Sequence, residues 1–460
     1  MGKFFSQTTT SLINPHWFKM IVHIGLDDTD SKTRGCTTYT ATEAIKQILK
    51  DNLAKFLDYP KLIRLNPNIP WKTRGNGAVA LTLEAENPEA VFQAVCKSVD
   101  ATLFEHIDAA VVLVLEKEVN HLKQFAEKAL HTVVTMHEAR ALCKKVSAYV
   151  KLWGNGSGLK GALAAAGNKL DGDHTYELLA YRRPEYWGKP RGVDPTSVYN
   201  MDKQLGKAVF NNYDPETGRI LITPHGPDPV YFGIRGEAPE ALIEALNLLR
   251  FQEPIDRWVI FRTNQGTAQH LLNELNPKSL KAYESGYIRG IVTSRAVIGR
   301  GGHLYLTIEA QSIPIKCAVY EPTGSFRKIF QQLVEGDLVE VGGGVRRATA
   351  KHPKVLNVEY LKVIRLKKVL LPKKPICDVC KRPMKSKGKG GDFKCRRCGL
   401  KKMATEFIEV PRSIEEGIYL PPPRAHRHLT KPLQRWGLEK QGWDGRMISR
   451  WYWFSDLGDL

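Results

Sequence analysis

Three carboxylates stand almost side by side in Asp27-Asp28-Thr29-Asp30, at the end of the apolar run Ile21-Val22-His23-Ile24-Gly25-Leu26. Carboxylates this close repel one another and are costly to bury unless a positive group joins them. The cheapest partner is Mg²⁺, which takes one or two carboxylates together with phosphate oxygens. Asp27, Asp28 and Asp30 are therefore candidate magnesium ligands and candidate catalytic residues. One acid would suffice to cap the next helix, whereas three point to metal–phosphate chemistry. Cys36, Thr37 and Thr38 follow and open an apolar-periodic segment. The free N–H groups at such a helix start attract anions. The two threonines serve there as N-caps, as phosphate contacts, or as both.

Three further segments have shapes that chemistry can use. Arg74-Gly75-Asn76-Gly77 precedes a strand; its backbone N–H groups can cradle an anion and Arg74 adds charge, although Gly-Asn-Gly is also ordinary turn chemistry. Gly154-Asn155-Gly156-Ser157-Gly158-Leu159-Lys160-Gly161 leads into a helix of small residues. Gly156, Gly158 and Lys160 make it a candidate phosphate cradle, the alternative being close helix packing. It is not a Walker A loop, because Lys-[Ser/Thr] does not follow its last glycine. In Pro224-His225-Gly226-Pro227-Asp228-Pro229, His225 and Asp228 are candidates to bind a cation or position a base at a substrate site, or simply to hold the turn. Asn264-Gln265-Gly266-Thr267 is polar loop chemistry with no decisive reading.

Cys377-x2-Cys380 and Cys395-x2-Cys398 are 14 residues apart. Each pair presents two thiolates to one ion, and two such knuckles complete a tetrahedral Zn²⁺ site, structural because four cysteines leave no open position. The segment 365–402 around it carries 15 Lys+Arg against 2 Asp+Glu, a net of +13. That charge suits phosphate contacts, or else forms a solvated, disordered face. The other four cysteines, Cys36, Cys96, Cys143 and Cys317, are scattered among apolar stretches. That is no disulfide framework, so a reducing, cytoplasmic setting is expected.

The elements that must position these residues read as a multidomain α/β and α+β chain. Aliphatic and β-branched runs predict strands at 20–26, 77–84, 109–115 and 175–182, and helical patterns occupy about 38–50, 88–99, 119–131 and 136–146. Asn87-Pro88 starts the second helix as N-cap and first-turn proline. These elements give an N-terminal α/β unit over 20–195, closed by the Pro/Gly-rich stretch 183–195. Over 196–275, strands at 219–223 and 229–234, a helix at 239–250 and a strand at 257–263 predict a ferredoxin-like α+β unit. Five short strands follow over 284–366, with a helix at 325–333 between the third and fourth. That is the order of an OB-fold β-barrel, a frequent nucleic-acid binder. A zinc ribbon at 374–405 and a basic, aromatic tail at 406–460 complete the chain, and residues 1–19 read as a disordered extension.

The formal net charge of +20 and pI near 9.5 call for a polyanionic partner, nucleic acid or an anionic membrane. No apolar run approaches the roughly 18 residues of a membrane span, and the first residues lack the apolar core of a signal peptide. No sequence repeat joins the domains.

The motifs Ile24 to Asp30, Cys36-Thr37-Thr38-Tyr39, Arg74 to Ala78, Gly154-Asn155-Gly156, Pro224 to Pro229 with Gly233-Ile234-Arg235-Gly236, and Thr263 to Thr267 resemble those of the archaeal tRNA(Ile) 2-agmatinylcytidine synthetases. The resemblance runs from Met20 to about residue 430 and includes the domain order: a kinase-like catalytic domain, a ferredoxin-like domain, an OB-fold and a zinc ribbon. It implies an ATP- and Mg²⁺-dependent ligase. The 2-oxo group of the wobble cytidine in an isoleucine tRNA with a CAU anticodon is activated, and agmatine displaces the phosphate as ATP becomes AMP and two phosphates. It also implies that Thr37 occupies a position phosphorylated in the family, and that Asp27, Asp28 and Asp30 form the phosphate-transfer site. Thr38, Arg74, Gly75, Asn76, Gly77, Gly156, Gly158 and Lys160 would bind ATP, with tRNA and agmatine as partners and no protein partner or membrane. The alternatives are a non-catalytic OB-fold and zinc-ribbon RNA binder, in which three acids near phosphates would be counterproductive, and a metal-dependent nuclease, which needs no nucleotide cradle.

Overall fold

The computed structural model describes residues 19–30, 35–72, 75–103, 107–350, 353–387, 392–403 and 406–457. These fold as two compact units. One runs up to Thr267 and resumes at Gly437; the other is Ala268–Trp436.

The first unit is built on one ten-stranded sheet. Its main elements are β1 (Met20–Asp27), α1 (Thr37–Lys50), β2 (Lys61–Arg64), β3 (Gly77–Ala85), α2 (Pro88–Thr102), β4 (Ala110–Leu115), α3 (Lys123–His131), α4 (Met136–Lys145), β5 (Tyr149–Leu152), α5 (Leu159–Ala166), β6 (Thr175–Arg182), α6 (Pro195–Leu205), β7 (Val230–Gly236), α7 (Pro239–Leu248) and β8 (Ile255–Thr263). The strand order is β7-β6-β8-β2-β3-β1-β4-β5. Every pair along it is antiparallel except β2 with β8.

β1 and β4 read as continuous apolar runs because both faces of the sheet are covered. Val22, Ile24 and Leu26, with Val111 and Leu113, face the helices α1 and α2. On the opposite face Ala110, Val112 and Val114 pack with α3, α4 and α5. α1 buries Ala41, Ala44, Ile45 and Ile48, the i, i+3, i+4, i+7 stripe of a core-facing helix. α2 starts as its sequence predicts, with the Asn87 side chain accepting from the Ala90 N–H at 3.1 Å and Pro88 at the first turn.

Two features differ from the sequence expectations. The stretch 183–195 does not separate two sheets. β6 precedes it, β7 and β8 follow it, and all three pair side by side. The expected ferredoxin-like segment thus shares a sheet with the catalytic segment. The tail is no loose end either. Tyr452–Phe454 pairs with β8, Trp451 packs on Phe56 and Tyr59 with ring centroids 5.1 and 6.4 Å away, and the Arg262 guanidinium lies 4.6 Å over Trp443. That same Arg262 donates to buried Asp58 at 3.0 Å. Residues 1–18 of the expected extension lie outside the described residues.

The second unit holds a closed five-stranded barrel: β9 (Ser285–Val292), β10 (Leu304–Ala310), β11 (Ile313–Val319), then α8 (Phe326–Phe330), β12 (Leu338–Arg346) and β13 (Val355–Arg365). Pairing runs β9-β12-β13-β11-β10 and closes through β9 with β10. This is the expected OB order, with the helix between the third and fourth strands. The same unit contains a three-stranded ribbon, Lys385–Ser386, Asp392–Lys394 and Lys401–Met403.

Candidate functional site

The acidic cluster sits where β1 meets α5, and glycines make that meeting possible. A Cβ on Gly25 would stand 1.9 Å from the Ala162 carbonyl oxygen, so the helix lies directly on the strand. A Cβ on Gly161 would stand 1.8 Å from Asp27 Oδ2, and one on Gly158 would stand 2.6 Å from the Asp27 carbonyl oxygen. The small-residue helix therefore packs closely and touches the acids at once. Asp28 adopts a left-handed backbone, φ 62, a conformation Asp tolerates better than most residues. Its Oδ2 accepts from Ser157 Oγ at 2.8 Å. The loop itself is held by Asp108, whose carboxylate accepts from the Asn155 backbone and side-chain amides, each at 2.8 Å.

The three acids do different work. Burial raises the Asp27 pKa well above the usual carboxylate range, and Asp28 and Asp30 raise it further. Asp28 is also raised, first by burial, with Ser157 opposing the shift. Asp30 turns toward α1, where its Oδ1 accepts from the Thr37 N–H at 2.5 Å and the Thr37 hydroxyl at 3.0 Å. It thereby caps the helix from outside, while the N-cap residue Cys36 makes no side-chain cap. Of the two readings left open for Thr37 and Thr38, the capping one does not hold: Thr38 Oγ1 lies 3.0 Å from the Cys36 thiol, and the cap comes from Asp30.

Asp27, Asp28 and Asp30 line one cleft together with Lys160, Gly161, Ser157, Asn76 and Gly77. Lys72 and Trp71 stand at the same cleft, and Leu65, Ile69 and Val134 form an apolar wall. Lys160 lowers the pKa of both Asp27 and Asp28. Trp71 escapes a reading of the sequence; Lys72 borders one glycine motif and Ser157 lies within the other, but nothing local singles either out. Arg74 lies outside the described residues. Asn76 holds the left-handed turn, φ 52, and donates from its side chain to the Asn66 carbonyl at 2.7 Å.

The glycine loop is corrected in one respect. The Gly156 N–H donates to the Trp153 carbonyl at 2.9 Å and the Gly158 N–H to the Asp108 carbonyl at 2.8 Å. Both donors are already used, so neither glycine offers a backbone cradle: Gly158 contributes close approach to Asp27 and Asp28, while Gly156, with φ 69, packs against Leu152. His225 is exposed beside Arg219 and does not join the cleft. Asp228 is buried and holds its turn: its Oδ1 accepts from the Val230 N–H at 3.1 Å and lies 3.5 Å from Arg191. Asp228 nevertheless lies near enough to Cys36 to help burial and Asp30 push that thiol up to about 12. Glu177, 2% exposed, is held between Arg235 at 3.1 Å, Arg64 at 3.8 Å and Gln265.

In the ribbon, Cys377, Cys380, Cys395 and Cys398 bring their sulfurs within 4.8 Å of one another, and the Cys377 and Cys398 sulfurs are 3.5 Å apart. Zn–S bonds of about 2.3 Å in a tetrahedron place sulfurs about 3.8 Å apart, so the donor set fits zinc. Each knuckle closes on a left-handed residue, Lys381 in the first and Gly399 in the second, whose N–H groups donate to the Cys377 and Cys395 carbonyls at 2.8 and 3.1 Å. Among the described residues no other three Asp, Glu, His or Cys side chains converge in this way. Among the described residues the three acids therefore do not form a closed metal nest of their own.

Comparison with known proteins agrees along the chain. Family models described as the TiaS TCKD domain, the TiaS FLD domain and the TiaS C-terminal zinc ribbon domain match residues 23–152, 156–270 and 374–414. The isoleucine-tRNA 2-agmatinylcytidine synthetase TiaS of Cenarchaeum symbiosum is 39% identical over 95% of this chain and 98% of its own. That of Pyrococcus horikoshii is 40% identical over 90% of this chain and 97% of its own. Among solved structures, apo TiaS superposes with a TM-score of 0.81 at 37% identity, covering 94% of this chain and 100% of that one. A complex of TiaS with its isoleucine tRNA and ATP superposes with a TM-score of 0.80 at 36% identity and the same coverage. With that identity sustained across nearly the whole of both chains, this chain belongs to the isoleucine-tRNA 2-agmatinylcytidine synthetase family.

Proposed function

We infer that this protein is an ATP-dependent ligase that joins agmatine to C2 of the wobble cytidine of the isoleucine tRNA with a CAU anticodon. The product is 2-agmatinylcytidine, with ATP converted to AMP and two phosphates, so that AUA codons are read. The observation that carries the reading is the packing of Asp27 and Asp28 on the Gly158 and Gly161 positions of α5. It occurs in a chain whose relatives are synthetases of that name and have been solved with isoleucine tRNA, AMPCPP and agmatine. A tRNA substrate fits a cytoplasmic setting; among the described residues no helix is long and apolar enough to cross a membrane.

The residues divide the chemistry between them. Asp27 and Asp28, pushed toward protonation by burial and by neighbouring carboxylates, Asp28 and Asp30 for Asp27 and Asp30 and Asp108 for Asp28, are stabilised as anions when a cation joins them. They are the carboxylates that would hold Mg²⁺, which when bound shields the triphosphate charge. Lys160 and Lys72 face the same cleft and meet phosphate oxygens. Phosphoryl transfer asks mainly for such positioning and charge. Thr37 is the acceptor hydroxyl: Asp30, 3.0 Å away, takes its proton as the Thr37 oxygen bonds to a phosphorus of ATP and the P–O bond from that phosphorus to the rest of the triphosphate breaks, the remaining nucleotide leaving. The segment 20–195 carries this chemistry, while the barrel at 284–366 and the ribbon at 374–405, holding zinc through Cys377, Cys380, Cys395 and Cys398, grip the tRNA. The wobble base must leave its stack to be modified, and binding energy from contacts remote from the reacting base can supply the cost.

The test is Asp28→Ala. Its expected outcome is loss of AMP formation with tRNA affinity retained. Full AMP formation by this variant would remove the acids from the reaction.

A further inference from the structure

Arg64 carries a buried guanidinium with unused donors beside the acidic cleft. It ends β2, whose Leu62 faces the core under α1 and α2. Alternation puts Arg64 on that same face, two residues further along. Its strand partner is Gly77, which lines the cleft with Asp27, Asp28 and Asp30. A Cβ on Gly77 would stand 2.9 Å from Arg64 Nη1 and 3.2 Å from Cδ. The guanidinium therefore lies against bare backbone at the cleft wall, in the space that a side chain at position 77 would fill.

The residue is held from its backbone. Asn264 Oδ1 accepts from the Arg64 N–H at 2.8 Å, and Asn264 Nδ2 donates to the Arg64 carbonyl at 2.9 Å. The side chain is only 14% exposed, and its Nε is enclosed without a hydrogen-bond partner. Among the described residues the one acid in contact with it is Glu177, 3.8 Å from Nη2. That carboxylate already accepts from Arg235 at 3.1 Å and from Gln265. Burial lowers the Arg64 pKa; Glu177 opposes the shift and Arg235 adds to it, and Cys36 and Asp30 also oppose it. Cys36 precedes Thr37, and Asp30 accepts from the Thr37 hydroxyl at 3.0 Å, so the guanidinium belongs to the surroundings of that hydroxyl. A buried charged donor left unpaired is costly. The planar fork of a guanidinium matches two oxygens of one phosphate.

We propose that Arg64 binds the phosphoryl group that Thr37 accepts. The proposal rests on the phosphoryl-transfer reading of this cleft. As the Thr37 oxygen bonds to phosphorus, its proton passes to Asp30. The P–O bond to the rest of the triphosphate breaks, and its electron pair leaves with the nucleotide. The transferred group brings its negative charge next to Asp30, and the Arg64 fork supplies the donors that offset it.

Arg64→Met keeps much of the side-chain bulk and removes the charge. With ATP-Mg²⁺, agmatine and tRNA, its AMP formation should fall about a hundred- to a thousandfold, as on loss of one donor to a charge-bearing oxygen in the transition state. Phosphorylation of Thr37, read as a phosphate-sized mass gain on its peptide, should fall with it. The melting temperature of the unliganded variant should hold or rise, because an unpaired buried charge is gone while Glu177 keeps Arg235 and Gln265. Arg64→Lys, with the charge but not the fork, should recover part of the rate. A rate for Arg64→Met within about threefold of wild type, or a lowered melting temperature, the mark of a guanidinium kept to neutralise Glu177, would overturn the proposal. Thr37→Glu tests the contact without turnover, by putting a carboxylate where the phosphoryl group would sit. Its effect on the melting temperature should be less favourable in Arg64→Met than in the wild type, by about 2–4 °C. Equal effects in the two backgrounds would overturn the proposal even in an inactive chain. With that coupling present, a wild type that forms no AMP would count against the reaction assignment and not against this contact.

Discussion

Gly161→Ala puts a methyl group where the Asp27 carboxylate now lies. The added Cβ would stand 1.8 Å from Oδ2, and even the tightest tolerable contact, 3.0 Å, requires a displacement of about 1.2 Å. The helix cannot yield that distance, because its Ala162 carbonyl already rests on Gly25 of β1. The carboxylate must move instead. A misplacement of about 1 Å costs roughly a hundredfold in rate where alignment carries the catalysis, so AMP formation should fall about a hundredfold. Stability should fall modestly. Overpacking costs about 1–3 kcal/mol, while alanine recovers about 1 kcal/mol of helix propensity over glycine, leaving a net loss of about 2 kcal/mol at most. The assay is AMP release under saturating ATP, agmatine and tRNA, read beside a thermal melt. Gly25→Ala is the control. Its clash, 1.9 Å, is with backbone, so it should lower the melting temperature more than Gly161→Ala does. A Gly161→Ala protein that releases AMP within about threefold of wild type would refute the placement of Asp27 at the reacting phosphates.

Removing zinc with a chelator, or Cys395→Ser, should raise the Kd for tRNA by about tenfold or more and make its salt dependence shallower by roughly 0.8 for each phosphate no longer engaged, with ATP affinity unchanged. Equal loss of both affinities would show that the ribbon supports the whole fold. His23, buried in β1 against Glu116, titrates at about 4 rather than 6.5, chiefly through burial and then through Lys61. Between those pH values the unfolded chain binds a proton that the folded one does not, so stability rises with pH from 4 to 6.5, by about 3 kcal/mol. His23→Gln should flatten that rise in denaturant melts followed by tryptophan fluorescence. An unchanged slope would place the titration elsewhere.

The parts of the fold legible in the sequence are those where one local signal dominates. β1 and β4 announce themselves as aliphatic runs, α2 by Asn87-Pro88, and the barrel by the position of its helix. α6 is hidden by the Pro/Gly-rich stretch it follows, although Asp194-Pro195 marks its start and the Asp194 carboxylate accepts from the Thr196 and Ser197 N–H groups at 3.0 and 3.3 Å. β2 and β5 are four-residue strands, too short for periodicity to register. Tyr452–Phe454 joins a strand some two hundred residues earlier, a pairing set by packing of Trp443 and Trp451 that no local pattern encodes. At the site, the clustered acids and the four cysteines are legible by residue type and spacing, whereas the part played by Gly161, named only as the end of a glycine-rich loop, is not. The bond from Ser157 to Asp28 and the Asp30 cap on Thr37 depend on β1, α1 and α5 converging, which only tertiary structure shows.

The most direct measurement is a single incubation of the zinc-loaded protein with ATP-Mg²⁺, agmatine and the isoleucine tRNA bearing a CAU anticodon, reading AMP and the mass of the wobble nucleoside. The account predicts AMP formation together with an agmatine-sized mass gain on that cytidine. A folded protein that releases no AMP and leaves the nucleoside mass unchanged would contradict it.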